Sequence, residues 1–361
     1  MDPRIREHAE IVVDHSTDVQ PGDNVVISAP GVAEELAVAL HEAVGDRGAT
    51  PAYLAKDSRA GRAYLRAVDD EDIVTPTHVQ ALYEESDVLL RVRAETNATE
   101  QSDVAPETQA AFTRARRPVR EVALSKRWCL TQFPCRAAAQ LAGMSTEAYE
   151  NFVYDAVLKD WDEVRERQSQ MTAIMDGAES IRLVSGETTD LTMSIAGNET
   201  LNDDGHASLP GGEVFTTPVR ESFDGEVYFD KPVYQRGKEI TGARLRFEDG
   251  KAVEWDAEKN ADVLDEILTT DEGAKYIGEL GIGMNRDIDR FTYNMLFDEK
   301  MGDTVHLAVG RAYDACVGDG NEHNDSAVHV DMIVDMSEDS FIEVDGERVQ
   351  EDGTFVFEDG S

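Results

Sequence analysis

GDNVVISAPGVAEELAVALHEAVGDRGATPAYLAKD, residues Gly22 to Asp57, is the stretch whose reading decides the fold. Asn24 to Ser28 is a β-branched run, and Ala33 to Val44 carries apolar residues at helical spacing. Gly48 closes that helix before a short strand near Ala52 to Leu54. The order predicts a βαβ unit. SDVLLRVRA (Ser86 to Ala94) and REVALSKRWCL (Arg120 to Leu130) read as further strands and extend the unit into an α/β domain with a parallel sheet. Neither GxGxxG nor GxxxxGK[ST] occurs, so nothing in the chain points to a nucleotide.

Helical spacing returns in STEAYENFVYDAVLKDWDEVRERQSQMTAIM (Ser145 to Met175), with Ser145 placed to cap it. Beyond it the pattern changes to short strands and Gly or Asp turns: ESIRLVSGETTDLTMSIAG, GEVYFDKPVYQRG, GARLRFEDGKAVEW and the tail SFIEVDGERVQEDGTFVFEDG. At 361 residues the chain exceeds the usual size of one core. The expectation is an α/β chain of two domains: an N-terminal α/β domain over 1–165 and a C-terminal α+β domain over 166–361, rich in antiparallel strands.

The charge is extreme: 74 acidic against 34 basic residues give a formal net charge of -40, spread along the chain and not gathered in a tail. With no basic stripe, nucleic acid is disfavoured as a partner. So acidic a surface repels itself in dilute buffer and suits a salt-rich cytoplasm, where screening shortens to roughly 3 Å at 1 M. No apolar run is long enough to span a bilayer, and MDPRIREHAEIVV lacks the core of a secretory leader, which predicts a cytoplasmic protein without a membrane partner. Cys129, Cys135 and Cys316 suit neither a disulfide framework nor a four-cysteine zinc site.

In the second half, five short segments set ligand-type side chains among apolar or glycine-rich neighbours. They hold Glu213 in LPGGEVFTTP, Glu279 in KYIGELGIGMN, His306 in GDTVHLAVG, Tyr313 in GRAYDAC, and the pair His329 and Asp331 in SAVHVDMIVDM. His329 and Asp331 share one face of a strand whose other face is Val328, Val330 and Met332. Buried charges persist when paired or bound to metal, and carboxylates with imidazoles are the donors that divalent ions select. Each residue also has a plainer reading: Glu213 at a hairpin turn, Glu279 capping a short helix, His306 as a satisfied core histidine, Tyr313 as a core aromatic. Asp298 and Glu299 in LFDEKMGD read as a solvated turn. GDGNEHND (Gly318 to Asp325) lacks the acid spacing of a calcium loop, and neither HExxH nor GxSxG occurs.

LPGGEVFTTP, IGELGIGMN, LFDEKMGDTVHLAVGRAY and NDSAVHVDMIVDM stand in the order and approximate spacing of the aminopeptidase T family, and RWCLTQFPC with LAGMSTEAYENFVYDA resembles that family's first domain. The resemblance implies a cytoplasmic, homodimeric, broad-specificity aminopeptidase with two divalent ions (zinc, cobalt or manganese) in its second domain. It implies that Glu213, Glu279, His306, His329 and Asp331 are metal ligands, with Glu279 and Tyr313 taking part in catalysis on peptides that have a free N-terminus. Two positions depart from the family: Gly212, where many relatives carry a second acid, and Val330, where they carry an aromatic. Hydrolysis of an amide needs an activated water, a polarised carbonyl and a home for the oxyanion, all of which a pair of ions about 3.5 to 4 Å apart supplies. The competing readings are another two-metal hydrolase, such as a dipeptidase or amidase, and a non-catalytic acidic metal-binding protein.

Overall fold

The computed structural model describes residues 1–235 and 238–358. The chain forms two compact units, one of 1–159 with 205–211 and one of 160–204 with 212–361.

In the first unit, β1 (Asn24–Pro30), β2 (Thr50–Lys56), β3 (Val88–Arg93) and β4 (Arg127–Gln132) make a parallel sheet in the order β2-β1-β3-β4, extended by the short strand Ser208–Leu209. The helix Glu34–Asp46 links β1 to β2 and buries Leu36, Leu40, Ala43 and Val44, so the βαβ reading stands. One expectation fails. Arg120 to Leu124 is not strand but the end of the helix Pro106–Leu124, and β4 begins only at Arg127. The valines and leucine there mimic a strand, yet the buried positions Val119 and Ala123 are four apart while Leu124 is exposed, which is helical periodicity. Ser145 caps as expected, its Oγ accepting from the Ala148 N–H at 3.1 Å. The helical stretch is broken, however, into Thr146–Val157 and Trp161–Met175.

The second unit holds two antiparallel sheets. Eight strands run from Lys251–Asp256 at one edge to Thr354–Phe355 at the other. The Asp-Gly pairs read as turns are turns: Asp249 and Gly250, Asp345 and Gly346, and Asp352 and Gly353 all have positive φ, as type I′ hairpin geometry requires. GEVYFDKPVYQRG divides between Asp224–Phe229 in this sheet and Val233–Gln235 in a separate ribbon. The Arg236–Gly237 end of that segment and the Asp359–Gly360 end of the tail lie outside the described residues.

The other sheet positions the site. It consists of β5 (Glu213–Thr216), β6 (Ile277–Gly283), β7 (Thr304–Gly310) and β8 (His329–Asp335), in the order β8-β7-β6-β5, with Leu201–Asp203 at the β5 edge. Strand alternation sorts its residues. Val214, Leu280, Ile282, Val305, Leu307, Val309, Val330, Met332 and Val334 enter one hydrophobic core with Leu183, Val227 and Phe247 of the larger sheet. Glu213, Glu279, His306, His329 and Asp331 are left on the opposite face. Burial of the apolar rows therefore fixes where the donors point.

Candidate metal centre

Register brings the five donors together. Glu279 pairs with Ala308, which pairs with Asp331, so the two acids flank one position of β7; Gly281 pairs with His306, and Gly310 with His329. The His306 ring lies against Gly281, where a Cβ would come within 2.0 Å of its Cε1. Glycine there is a seat for the imidazole. Gly281→Ala is expected to displace His306 and destabilise the fold by about 1–3 kcal/mol through overpacking. Chemical denaturation, with divalent-ion binding measured in parallel, checks this; wild-type stability and binding would contradict the packing argument.

The imidazoles and carboxylates are in contact. His306 Nε2 is 3.4 Å from Glu213 Oε2 and 3.4 Å from Glu279 Oε1, while His329 Nε2 is 3.1 Å from Glu279 Oε2 and 3.3 Å from Asp331 Oδ1. Each ring is anchored from behind: His306 Nδ1 is 3.0 Å from the Glu299 carbonyl and His329 Nδ1 is 2.8 Å from the Arg311 carbonyl. A carbonyl only accepts, so Nδ1 carries the hydrogen and, in the neutral ring, Nε2 offers its lone pair to the cluster, the arrangement of metal-binding histidines. One donor atom each from Glu213, Glu279 and His306, and likewise from Glu279, His329 and Asp331, lie within 4.8 Å of one another. Glu279 belongs to both groups.

Electrostatics shows what such a cluster lacks. Glu213, Glu279 and His306 are buried. Burial pushes the Glu213 carboxyl up to about 8 even beside Lys300. Burial works against charge on the histidines, but the neighbouring carboxylates dominate, raising His306 to about 10 and His329 to about 11. Asp331 falls to about 2: burial opposes the shift, and His329 outweighs it. Glu213 Oε2 is buried without a hydrogen-bond partner. Five carboxylates, those of Asp203, Glu213, Glu279, Glu299 and Asp331, meet only three basic side chains, His306, His329 and Lys300, and an orphaned carboxylate oxygen faces the His306 imidazole. Divalent cations fit this donor set.

Tyr313 stands at the rim, 47% exposed, its ring edge-to-face with His329 at 5.3 Å and tilted against Phe215 at 5.5 Å. Partial burial and the site carboxylates raise its hydroxyl well above the ordinary range, which keeps it protonated. Asp298 is buried and takes the N–H and hydroxyl of Thr292 and the N–H of Asn294, so it shapes a turn, though not a solvated one. Glu299 reaches the site through Lys300, which sequence reasoning passed over. Gln168, also missed, donates from Nε2 to the Glu213 carbonyl at 2.7 Å and steadies that backbone. At Gly212 the φ is +121° and a Cβ would meet Asn285 Cβ at 2.5 Å, so this backbone has no room for an acidic side chain. Val330 faces the core and not the site. Cys129, Cys135 and Cys316 are buried.

A two-unit α/β chain enclosing carboxylates and backbone-anchored imidazoles has the build of a metal-dependent hydrolase. Comparison with known proteins makes this specific. The thermophilic metalloprotease (M29) family model matches residues 1–361, and the chain belongs to that family. Aminopeptidase AmpS of Bacillus subtilis (strain 168) is 36% identical over 188 residues, 45% of this chain and 45% of that one. Aminopeptidase 2 of Geobacillus stearothermophilus is 25% identical over 407 residues, covering 98% of this chain and 97% of that one. The solved structure of wild-type AmpT from Thermus thermophilus matches with a TM-score of 0.86 at 25% identity, over 98% of this chain and 99% of that one. The resemblance carried by the four motifs and the α/β fold reading are thereby borne out. The chain is a metallopeptidase, a hydrolase acting on peptide bonds.

Proposed function

We propose that the cluster on β5 to β8 holds two divalent cations through Glu213, Glu279, His306, His329 and Asp331, and that the chain uses them to release N-terminal amino acids from peptides. The observation that carries this reading is the posture of Glu279, whose two oxygens face different histidines, 3.4 Å and 3.1 Å away. A carboxylate so placed would contribute one oxygen to each ion's ligand set. Charge supports the number: with both imidazoles neutral and every acid ionised, as ligation requires, Asp203, Glu213, Glu279, Glu299 and Asp331 around Lys300 leave four negative charges that two divalent cations balance. Zinc, cobalt and manganese all accept this donor mix.

Bound divalent ions would supply an acidified water and a polarised carbonyl. The chain's own residues do the rest. The Glu299 and Arg311 carbonyls hold the two imidazoles with Nε2 turned toward the carboxylates, and the core beneath the sheet prevents these side chains from turning away. Tyr313, protonated and reachable at the rim, would donate a hydrogen bond to the oxyanion. A free N-terminus on the substrate, a homodimeric assembly, a cytoplasmic setting and adaptation to high salt belong to the same reading. Among the described residues no helix is long and apolar enough to cross a membrane. Chelation is expected to abolish hydrolysis of an aminoacyl anilide, with divalent metal restoring it, while an N-acetylated peptide stays intact. Efficient cutting of the blocked peptide would refute release from the N-terminus.

A further inference from the structure

Lys300 is fully enclosed, with its side chain 1% exposed, in a chain where lysine is scarce. A lone buried ammonium is costly and survives only when paired and hydrogen-bonded. Its Nζ lies 2.9 Å from Glu213 Oε1 and 3.4 Å from Asp203 Oδ2, and it also donates to Glu299. Three acids from three places in the chain thus converge on one nitrogen. Asp203 arrives because the edge strand Leu201–Asp203 pairs with β5, Asp203 opposite Glu213. The two oxygens of Glu213 are thereby made different. Oε1 is held by the ammonium, whereas Oε2 has no hydrogen-bond partner and faces His306 Nε2 at 3.4 Å.

We infer that Lys300 is a positioning residue: by holding Glu213 Oε1 it aims Oε2 alone at the cation site and so sets the affinity and geometry with which a divalent ion is taken. The inference rests on the proposed role of Glu213 as a ligand. Without the ammonium the carboxylate is free to rotate and offer either oxygen or both, and the enclosed negative charge rises by one. A merely structural ion pair would contribute stability and leave metal geometry untouched.

Cobalt(II) binding to the purified full chain in molar KCl provides the test, with Kd from titration and coordination geometry from the visible absorption of the bound ion. Lys300→Met and Lys300→Arg are compared with the wild type, circular dichroism confirming the fold. Lys300→Met is expected to bind cobalt about 10–100-fold more weakly, the usual cost of losing a group that orients a ligand. Its visible spectrum should also change. Lys300→Arg keeps the charge but brings a planar fork where a point donor sat, so it should fold while still altering the spectrum. Wild-type Kd and spectrum in whichever variant folds would overturn the inference. Failure of both variants to fold would overturn it too, because Lys300 would then serve the fold and not the ligand. A wild-type protein that binds no cobalt would instead defeat the reading of the site itself.

Discussion

Glu279→Gln is expected to lower kcat/KM for an aminoacyl anilide by at least about 10³-fold, equivalent to ~4 kcal/mol of transition-state stabilisation at 1.36 kcal/mol per tenfold. The metal content should fall with it. The reason is the sharing seen in the geometry: Glu279 stands in both donor groups, one oxygen toward His306 and the other toward His329. Glutamine keeps the shape and one acceptor but removes the negative charge and turns the second oxygen into a donor. It weakens both halves at once, whereas a change at Glu213 or Asp331 touches one. The fold should survive, since Leu280 and Ile282 still anchor β6 in the core. Elemental analysis of the purified variant beside its turnover decides the matter. Full activity with normal metal content would remove Glu279 from the chemistry; normal metal content without turnover would make it catalytic without being essential for binding.

The second large effect concerns salt. In dilute buffer the chain carries a formal net charge of -40, and most cations that do find partners are at the surface, as with Arg246 and Glu254 at 2.8 Å. Such exposed pairs contribute only about 0–1 kcal/mol each. Screening weakens them, but it weakens the far more numerous acid–acid repulsions as well, and the excess of acid decides the sign. Moving from 0.1 M to molar KCl shortens the Debye length from about 10 Å to about 3 Å. A gain of several kcal/mol is expected, which raises Tm by on the order of 10 °C at roughly 2–4 °C per kcal/mol. Thermal unfolding across a KCl series measures it. Equal Tm at low and molar salt would remove the case for adaptation to a salt-rich cytoplasm.

Much of this was readable in order of sequence because the relevant signals are local. Gly22 to Asp57 states its own βαβ plan through β-branched runs and helical spacing, and the Asp-Gly pairs state their turns through positive φ. His329 and Asp331 betrayed themselves by standing on one face of an apolar strand. Where two local patterns coincide, reading failed: VREVAL (Val119 to Leu124) satisfies a strand by composition and a helix by its Val119 and Ala123 spacing, and only packing of those two residues chose the helix.

The chain order alone determined the family and the sheet types, and it singled out the acids and imidazoles that come together, since motifs and periodicities are properties of neighbours along the backbone. It had no means of announcing Lys300, Asp203 or Gln168, whose importance lies in partners brought close by strand pairing and core burial. The tertiary structure decided that Gly281 must lack a side chain, that each imidazole leans on a carbonyl, and that one oxygen of Glu213 is taken while the other is exposed to the cluster. Those are consequences of enclosure: once water is excluded, every buried charge must find a counterpart within a few ångströms, and only the folded chain supplies the distances.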